Sequence, residues 1–390
     1  MITAHRICLK PNVKQARYFA RAAGTRRFAY NWALAQWTRQ YELHKADPEN
    51  PNCPKPNEGA LRKQFNQFKK TEGCEWIMEV TKCAPQMGIK DLGKAFLKFM
   101  RGKSKYPTFK KKGVARDSFT ISNDQFKVDG RKLRIPNLGW VRMREELRFP
   151  GKLLWATVSR TADRWYVSFT VETTDDSHLH AREGAETQGK QTRCVGVDLG
   201  INRLATLSDG TGIPGPKPHT QLLRRLKRLS RQLSRKKKGS RNRKKAKMAL
   251  ARLHAKIARI RADALHKLTT ALVLKYDWIA VEDLGVSGML KNHCLARAIA
   301  DMGWGEFRRQ LEYKAAWYRC HVSLVDRFYP SSKTCSVQGC GHKLEALPLG
   351  VRSWACPACG TQHDRDVNAA RNILTESFKA DSYAVSACGG

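Results

Sequence analysis

Three acids in this chain stand where a carboxylate is costly unless it is used. Asp198 closes the apolar run Val195-Gly196-Val197, and Glu282 closes Trp278-Ile279-Ala280-Val281. Asp366 lies in Asp364-Arg365-Asp366-Val367-Asn368-Ala369-Ala370, where a helix is expected to begin. Two strand ends and a helix start could bring such groups together. Anions held close repel one another and stay ionised together only if cations sit between them. Oxygen-only ligands select hard ions, so Mg²⁺ or Mn²⁺ is expected there rather than zinc. Two such ions can clamp a phosphodiester, one activating the attacking water and the other stabilising the leaving oxygen. Singly, each acid has a plainer role: Asp198 as a turn cap, Glu282 as a strand-end surface charge, Asp366 as a helix cap. Spacing alone does not single them out.

Four cysteines point to a different metal. Cys335-x4-Cys340 and Cys356-x2-Cys359 form two knuckles separated by fifteen residues, with Gly341 and Gly360 after each second ligand. Two thiolate pairs at that spacing fit a tetrahedral Cys₄ zinc site, to which His342 and His363 are surplus. The remaining cysteines (Cys8, Cys53, Cys74, Cys83, Cys194, Cys294, Cys320 and Cys388) are scattered. They read as small hydrophobes in a reducing cytoplasm. Neither a secretory signal nor a spanning apolar stretch is apparent, so no membrane partner is expected.

The elements that must position these groups follow from periodicity. Residues 1–10 read as a strand stopped by Pro11-Asn12. Phe19, Ala23, Phe28, Trp32 and Ala35 mark a helix over Val13 to Glu42, with Gly24 as a candidate break. Two more amphipathic helices are expected over Ala60 to Lys70 and Lys82 to Arg101, with Phe65, Phe68, Phe96, Leu97 and Phe99 as core. From Tyr106 to Glu172 the period changes to two. Phe126 to Ile135 is a hairpin with an Asp-Gly turn, and Leu154–Val158 pairs with Trp165–Val171. These short strands predict a small antiparallel barrel to which the first strand returns. A buried strand at 194–198 then forms a hairpin with Arg203–Leu207, and a second buried strand runs over 278–284.

Charge decides the class of partner. The chain holds 73 Lys+Arg against 34 Asp+Glu, a formal net charge of +39. A surface that repels itself so strongly calls for a polyanion, and nucleic acid is the usual one. The charge concentrates in a helical hairpin over 220–271. Leu222, Leu226, Leu229 and Leu233 form one apolar stripe there, and Leu250, Leu253, Ile257, Ile260 and Ala264 another, with the turn at Lys236 to Asn242. No Asp or Glu occurs between Arg224 and Arg261. A face of one sign beside an apolar stripe fits a phosphate backbone, with Arg224, Arg228, Arg231, Arg235, Lys236, Lys237, Lys238 and Arg241 as contacts. Lys82 and Gln86, four apart at a helix start, share a face that could meet base edges. Tyr106, Phe109 and Trp140 lie beside basic residues and serve either as stacking platforms or as core.

The runs Val195 to Gly200, Val281-Glu282-Asp283-Leu284 and Asp364 to Ala370 resemble the three catalytic segments of a RuvC-type nuclease domain. The resemblance is closest to TnpB, the transposon-encoded RNA-guided nucleases related to type V CRISPR effectors, and it covers most of the chain. Arg26 to Leu34 resembles that family's early Arg-x-x-Tyr-Asn helix, and Pro330 to Ser336 the entry to its zinc ribbon, where the first knuckle is two residues longer than usual. The resemblance implies an α+β multidomain protein: a small antiparallel β-barrel (1–10 and 106–172) with a helical recognition insert (11–105). After a linker (173–192) comes an RNase H-like RuvC nuclease domain (193–329 and 363–378) with an inserted Cys₄ zinc ribbon (330–362), then a tail (379–390). It implies Asp198, Glu282 and Asp366 as Mg²⁺ or Mn²⁺ ligands, with Asp283 and Asp364 ranked below them. The implied partners are a guide RNA and double- and single-stranded DNA, with one chain per guide in a prokaryotic, nucleoid-associated cytoplasm, and with Lys82 and Gln86 in the domain that reads a short flanking motif. Two other readings are a guide-independent transposase or junction-resolving nuclease using the same acids, and a non-cleaving RNA-guided DNA-binding protein, which would be expected to have lost at least one of them.

Overall fold

The computed structural model describes residues 2–173 and 192–380. The expected linker and tail, end residues apart, lie outside the described residues. The chain divides into two compact units, Met1–Asp176 and Ser177–Gly390.

In the first unit, β1 (Ile2–Lys10) alternates exposed and inward residues, with Ile7 and Leu9 buried. Asn12 then starts α1 (Val13–Ala46) through a capping box with Gln15. Gly24 does not break this helix, contrary to expectation. A mid-helix glycine costs only about 1 kcal/mol, and the buried Tyr18, Phe19, Ala29, Tyr30 and Ala33 on either side outweigh it. Helices α2 (Glu58–Phe68) and α3 (Cys83–Met100) pack on α1 around Leu34, Trp37, Leu61, Phe65, Leu92 and Phe96, and the Trp37 and Phe96 rings stack at 4.1 Å. Gly88 of α3 lets the two helices touch, since a Cβ there would sit 2.4 Å from the Arg26 carbonyl oxygen. Leu97 and Phe99, expected in the core, are exposed.

The strands of this unit are β2 (Ser118–Ser122), β3 (Lys127–Asp129), β4 (Lys132–Ile135), β5 (Gly139–Met143), β6 (Lys152–Thr161) and β7 (Arg164–Glu172). With β1 they form one antiparallel sheet in the order β2-β6-β7-β1-β5-β4-β3. The first strand does return: Ile7 faces Val167 across β7, and Leu9 faces Met143 across β5. The expected barrel is not closed. Its edge strands β2 and β3 are joined by one short 3₁₀ turn, and among the described residues no backbone ladder bridges them. Tyr106, Phe109 and Trp140 are exposed, so this sheet does not use them as core.

In the second unit, β8 (Cys194–Asp198), β9 (Arg203–Leu207), β10 (Gly212–Pro214), β11 (Trp278–Glu282) and β12 (His321–Val325) form a mixed sheet ordered β10-β9-β8-β11-β12. The hairpin pairs are antiparallel, whereas β8-β11 and β11-β12 are parallel. Strand alternation gives each face its own cover. Val195, Val197, Ile279 and Val281 pack against Leu265, Leu272, Phe307 and Leu311. Those last four come from α5 (Arg241–Lys275) and α6 (Trp304–Trp317). Gly196 and Ala280 point the other way, toward α7 (Arg365–Ala380). The basic hairpin is formed by α4 (Leu223–Ser234) and the start of α5, which Ser240 caps. A small hairpin, β13 (Ser353–Ala355) and β14 (Gln362–Asp364), precedes α7.

Candidate active site and cysteine cluster

Asp198 and Glu282 are the last residues of adjacent parallel strands, with Val197 directly beside Val281. Both lie on the sheet face that carries Gly196 and Ala280, because side chains two apart share a face. That face meets α7 at Gly196, where an added Cβ would stand 1.9 Å from the Ala370 carbonyl oxygen. Only glycine allows this approach, and one helical turn back from Ala370 is Asp366. The missing side chain at 196 thus lets the helix start close on the strand end.

Electrostatics record the outcome. The Asp198 carboxyl is pushed up to about 8, first by burial, then by the neighbouring charges of Glu282 and Asp366, against a smaller opposing pull from Arg365 and Arg352. Glu282 is raised by burial, with a hydrogen bond from Ser331 acting the other way. The Asp198 carboxyl registers the charges of the other two acids, yet the three do not crowd. Among the described residues, only the four cysteines bring three or more ligand atoms within 4.8 Å of one another. Two of them have polar partners of their own: Glu282 accepts from Ser331 Oγ at 2.8 Å, and Arg352 reaches Asp366 at 3.4 Å.

The neighbouring acids are engaged elsewhere. Asp283 is held between Arg308 and Arg327, and hydrogen bonding with Arg308 is the main cause of its lowered pKa. Asp364 is the helix cap: its Oδ1 accepts from the Asp366 and Val367 amides at 3.0 and 2.9 Å. That leaves the Asp366 side chain free of capping. An oxygen-only donor set whose central carboxyl is driven up first by burial and then by its acidic neighbours fits a hard divalent cation.

The four cysteines converge as well. The second knuckle forms the tip of the β13-β14 hairpin, and the first is closed by the Cys335 amide donating to the His342 carbonyl. The Sγ atoms of Cys335 and Cys359 are 3.7 Å apart, as are those of Cys340 and Cys356. A tetrahedral ion with metal–sulfur bonds of about 2.3 Å sets its ligands about 3.8 Å apart, so the cluster has the right size for zinc. The longer first knuckle does not exclude Cys340. Burial pushes the Cys335 thiol up to about 12, whereas hydrogen bonding with Thr361 brings Cys359 down to about 6. His342 is not in the cluster, but His363 Nε2 lies 3.1 Å from Cys335 Sγ, outside the set of four.

The basic residues expected to meet phosphate stay in solvent. Arg224, Arg228, Arg231, Arg235, Lys236, Lys237, Lys238 and Arg241 are all exposed. The four leucines of the first stripe, Leu222 just before α4 and three within it, are half-buried, which turns the charges outward. In the first unit, Lys82 and Gln86 line one cavity of about 310 Å³ together with Arg62, Asn66 and Lys69. Lys82 also reaches Asp124 at 3.8 Å.

Sequence reasoning missed Ser331, Asn368 and Asn372. Ser331 has no marked spacing. The two asparagines, four apart and so on one helix face, were a signal: buried amides need partners.

Three family models match parts of the chain. One described as "Probable transposase", of the IS605 OrfB type, matches residues 168–293, and one described as "Cas12f1-like, TNB domain" matches 304–373. The third, "Helix-turn-helix domain", matches residues 1–46, where the structure has β1 and the unbroken α1. A Streptomyces pristinaespiralis protein named "Putative RNA-guided DNA endonuclease" is 39% identical over 97% of this chain and 89% of its own length. The Escherichia coli K12 protein carrying the same description and the name InsQ is 36% identical, over 100% of this chain and 94% of its own. A TnpB-like protein of Acanthamoeba polyphaga mimivirus is 30% identical over 36% of this chain and 27% of its own. Identity at this level along nearly the whole length places the chain within one family: it belongs to the TnpB (IS605 OrfB) family.

Proposed function

We propose that this chain is an RNA-guided DNA endonuclease whose nuclease centre is formed by Asp198, Glu282 and Asp366. The observation that carries this reading is the convergence of two neighbouring strand ends and one helix start on a carboxyl that burial and two like charges push up to about 8. Such a site is poised for a cation, and Mg²⁺ (or Mn²⁺) bound there supplies a Lewis acid for phosphodiester hydrolysis. Asp198 and Glu282 would hold it from the sheet and Asp366 from the helix, while Ser331 orients Glu282. Arg352 and Arg365, which already favour the ionised form of Asp198, offer positive charge beside a scissile phosphate.

The sheet order β10-β9-β8-β11-β12, antiparallel on one side and parallel on the other, supports an RNase H-like reading of residues 193–329 and 363–378. The cysteine cluster supports zinc in the ribbon over 330–362, bracing α7 without entering the chemistry. The first unit is assigned to a wedge-like sheet (1–10 and 106–172) and a recognition block (11–105), with Lys82 and Gln86 toward the flanking motif. The exposed basic hairpin is assigned to the guide RNA and its target strand, and a net charge of +39 suits several polyanions at once. One chain acting on one guide in a prokaryotic cytoplasm is the simplest assembly; among the described residues no helix is long and apolar enough to cross a membrane.

The description "Probable transposase" favours one other reading, a nuclease that needs no guide. Purifying the protein, sequencing the RNA that accompanies it, and offering DNA matched or unmatched to that RNA separates the two. Cutting of the matched DNA alone is expected. Equal cutting of both, or a protein free of RNA that still cuts, would overturn the guided reading.

A further inference from the structure

The chain entering the cysteine ribbon passes directly over the candidate active site, and two buried amides hold it there. Asn368 Nδ2 donates to the carbonyl oxygens of Thr334 (2.7 Å), Ser331 (3.3 Å) and Ser332 (3.4 Å), and its Oδ1 accepts from the Ser336 amide at 3.0 Å. Asn372 Nδ2 donates to the carbonyls of Ser331 (2.8 Å) and Thr334 (2.6 Å). The segment held in this way contains Cys335, a member of the thiol cluster, and Ser331, whose Oγ donates to Glu282 Oε1 at 2.8 Å. Ser331, Asn368, Asn372 and Cys335 are each at most 6% exposed, so water does not substitute for these bonds. One short loop therefore joins the thiol cluster, the helix that carries Asp366 and one oxygen of Glu282.

We infer that Ser331 is a positioning residue for Glu282, and that through it the ribbon sets the affinity of the carboxylate site for its divalent ion. Fixing one carboxylate oxygen by a hydroxyl leaves the other aimed at the cation, and outer partners of this kind commonly change metal affinity by about 10- to 100-fold. Asn368 and Asn372 act one step further out: they grip backbone carbonyls, so they fix where the Ser331 hydroxyl sits whatever its side chain. The inference rests on the proposed role of Glu282 as a metal ligand.

The test titrates Mn²⁺ into the purified protein with its bound RNA, read by electron paramagnetic resonance, with Asp198→Ala as the blank for ions held by RNA. Ser331→Ala leaves the asparagine–carbonyl bonds intact. It is expected to weaken the protein-bound Mn²⁺ by about 10-fold or more, to raise the Mg²⁺ needed for half-maximal cutting in parallel, and to keep its zinc content. Ser331→Thr, which keeps a hydroxyl, is expected to recover most of the affinity. Cys356→Ser, which opens the ribbon, is expected to weaken Mn²⁺ as well. Unchanged Mn²⁺ affinity in Ser331→Ala, or loss of its zinc, would overturn the positioning role. If Asp198→Ala binds as much Mn²⁺ as the native protein, the carboxylate site itself is misassigned, a failure distinct from the first.

Discussion

Asp198 shows in one residue how a buried carboxyl at a candidate site carries a cost to folding. Its carboxyl titrates near 8 in the folded chain against 3.8 for an unperturbed aspartate. Between those values the folded form keeps a proton that the unfolded chain has released, so stability falls as pH rises from about 4 to about 8. In chelator, Asp198→Asn should therefore raise the melting temperature at pH 8, by about 2–4 °C for each kcal/mol relieved, and the gain should vanish near pH 4. Thermal melts across that range check it; a gain independent of pH would show that the strain is not electrostatic. Asp283 behaves oppositely. Two arginines hold it, and its pKa is lowered. In the sequence the two acids look alike, each at the end of an apolar run, because Arg308 and Arg327 approach from distant segments. Apolar runs ending on Asp198 and Glu282 made those two stand out, whereas Asp366, after the polar run His363-Asp364-Arg365, was marked only by the resemblance; which neighbouring acid is already neutralised was not legible.

At the scale of elements, the decisive contact is α7 on β8. Gly196→Ala places a methyl group against the Ala370 backbone, which cannot rotate away as a side chain could. A loss of at least about 2 kcal/mol is expected, typical of overpacking, together with loss of cutting as α7 is pushed off Asp198. Denaturant midpoints read the first and cleavage assays the second; a stable, active Gly196→Ala would refute the close approach. The ribbon makes its own prediction. The protein should carry one zinc per chain by elemental analysis, and Cys359→Ser should lose it, whereas His342→Ala should not. Periodicity made many of the strands and helices visible, because burial on one face dictates the pattern, and cysteine spacing did the same for the knuckles; α6 and β12 were not read from it. Periodicity could not reveal that α1 runs through Gly24, since the packing that outweighs glycine comes from α2, α3 and the Phe119 and Trp165 side chains of the sheet. Nor could it show that the first sheet stays open, because closure depends on hydrogen bonds between edges that side-chain alternation does not encode.

For the whole molecule the governing fact is charge. An excess of 39 positive charges is sustained largely by exposed side chains, among them the eight candidate contacts on the basic hairpin. If that hairpin lies along nucleic acid, replacing Lys236, Lys237, Lys238 and Arg241 with Gln should make the salt dependence of RNA binding shallower, by roughly 0.7–0.9 in log–log slope for each phosphate no longer neutralised. Filter binding over a range of salt concentrations measures this, and an unchanged slope would remove the hairpin from the interface. Composition announced a polyanionic partner, and the resemblance supplied its kind. Which side chains meet which phosphates stays unwritten in the sequence, because a phosphate backbone asks for charge and reach rather than for a motif.

The most direct trial of the nuclease centre compares five alanine variants, at Asp198, Glu282, Asp366, Asp283 and Asp364, for cutting of guide-matched DNA in Mg²⁺, each with its DNA binding measured alongside. Asp198→Ala, Glu282→Ala and Asp366→Ala should bind the target and leave it whole, while Asp283→Ala continues to cut and Asp364→Ala, deprived of the helix cap, cuts more slowly. Cutting at the native rate by any of the first three would contradict the proposed site.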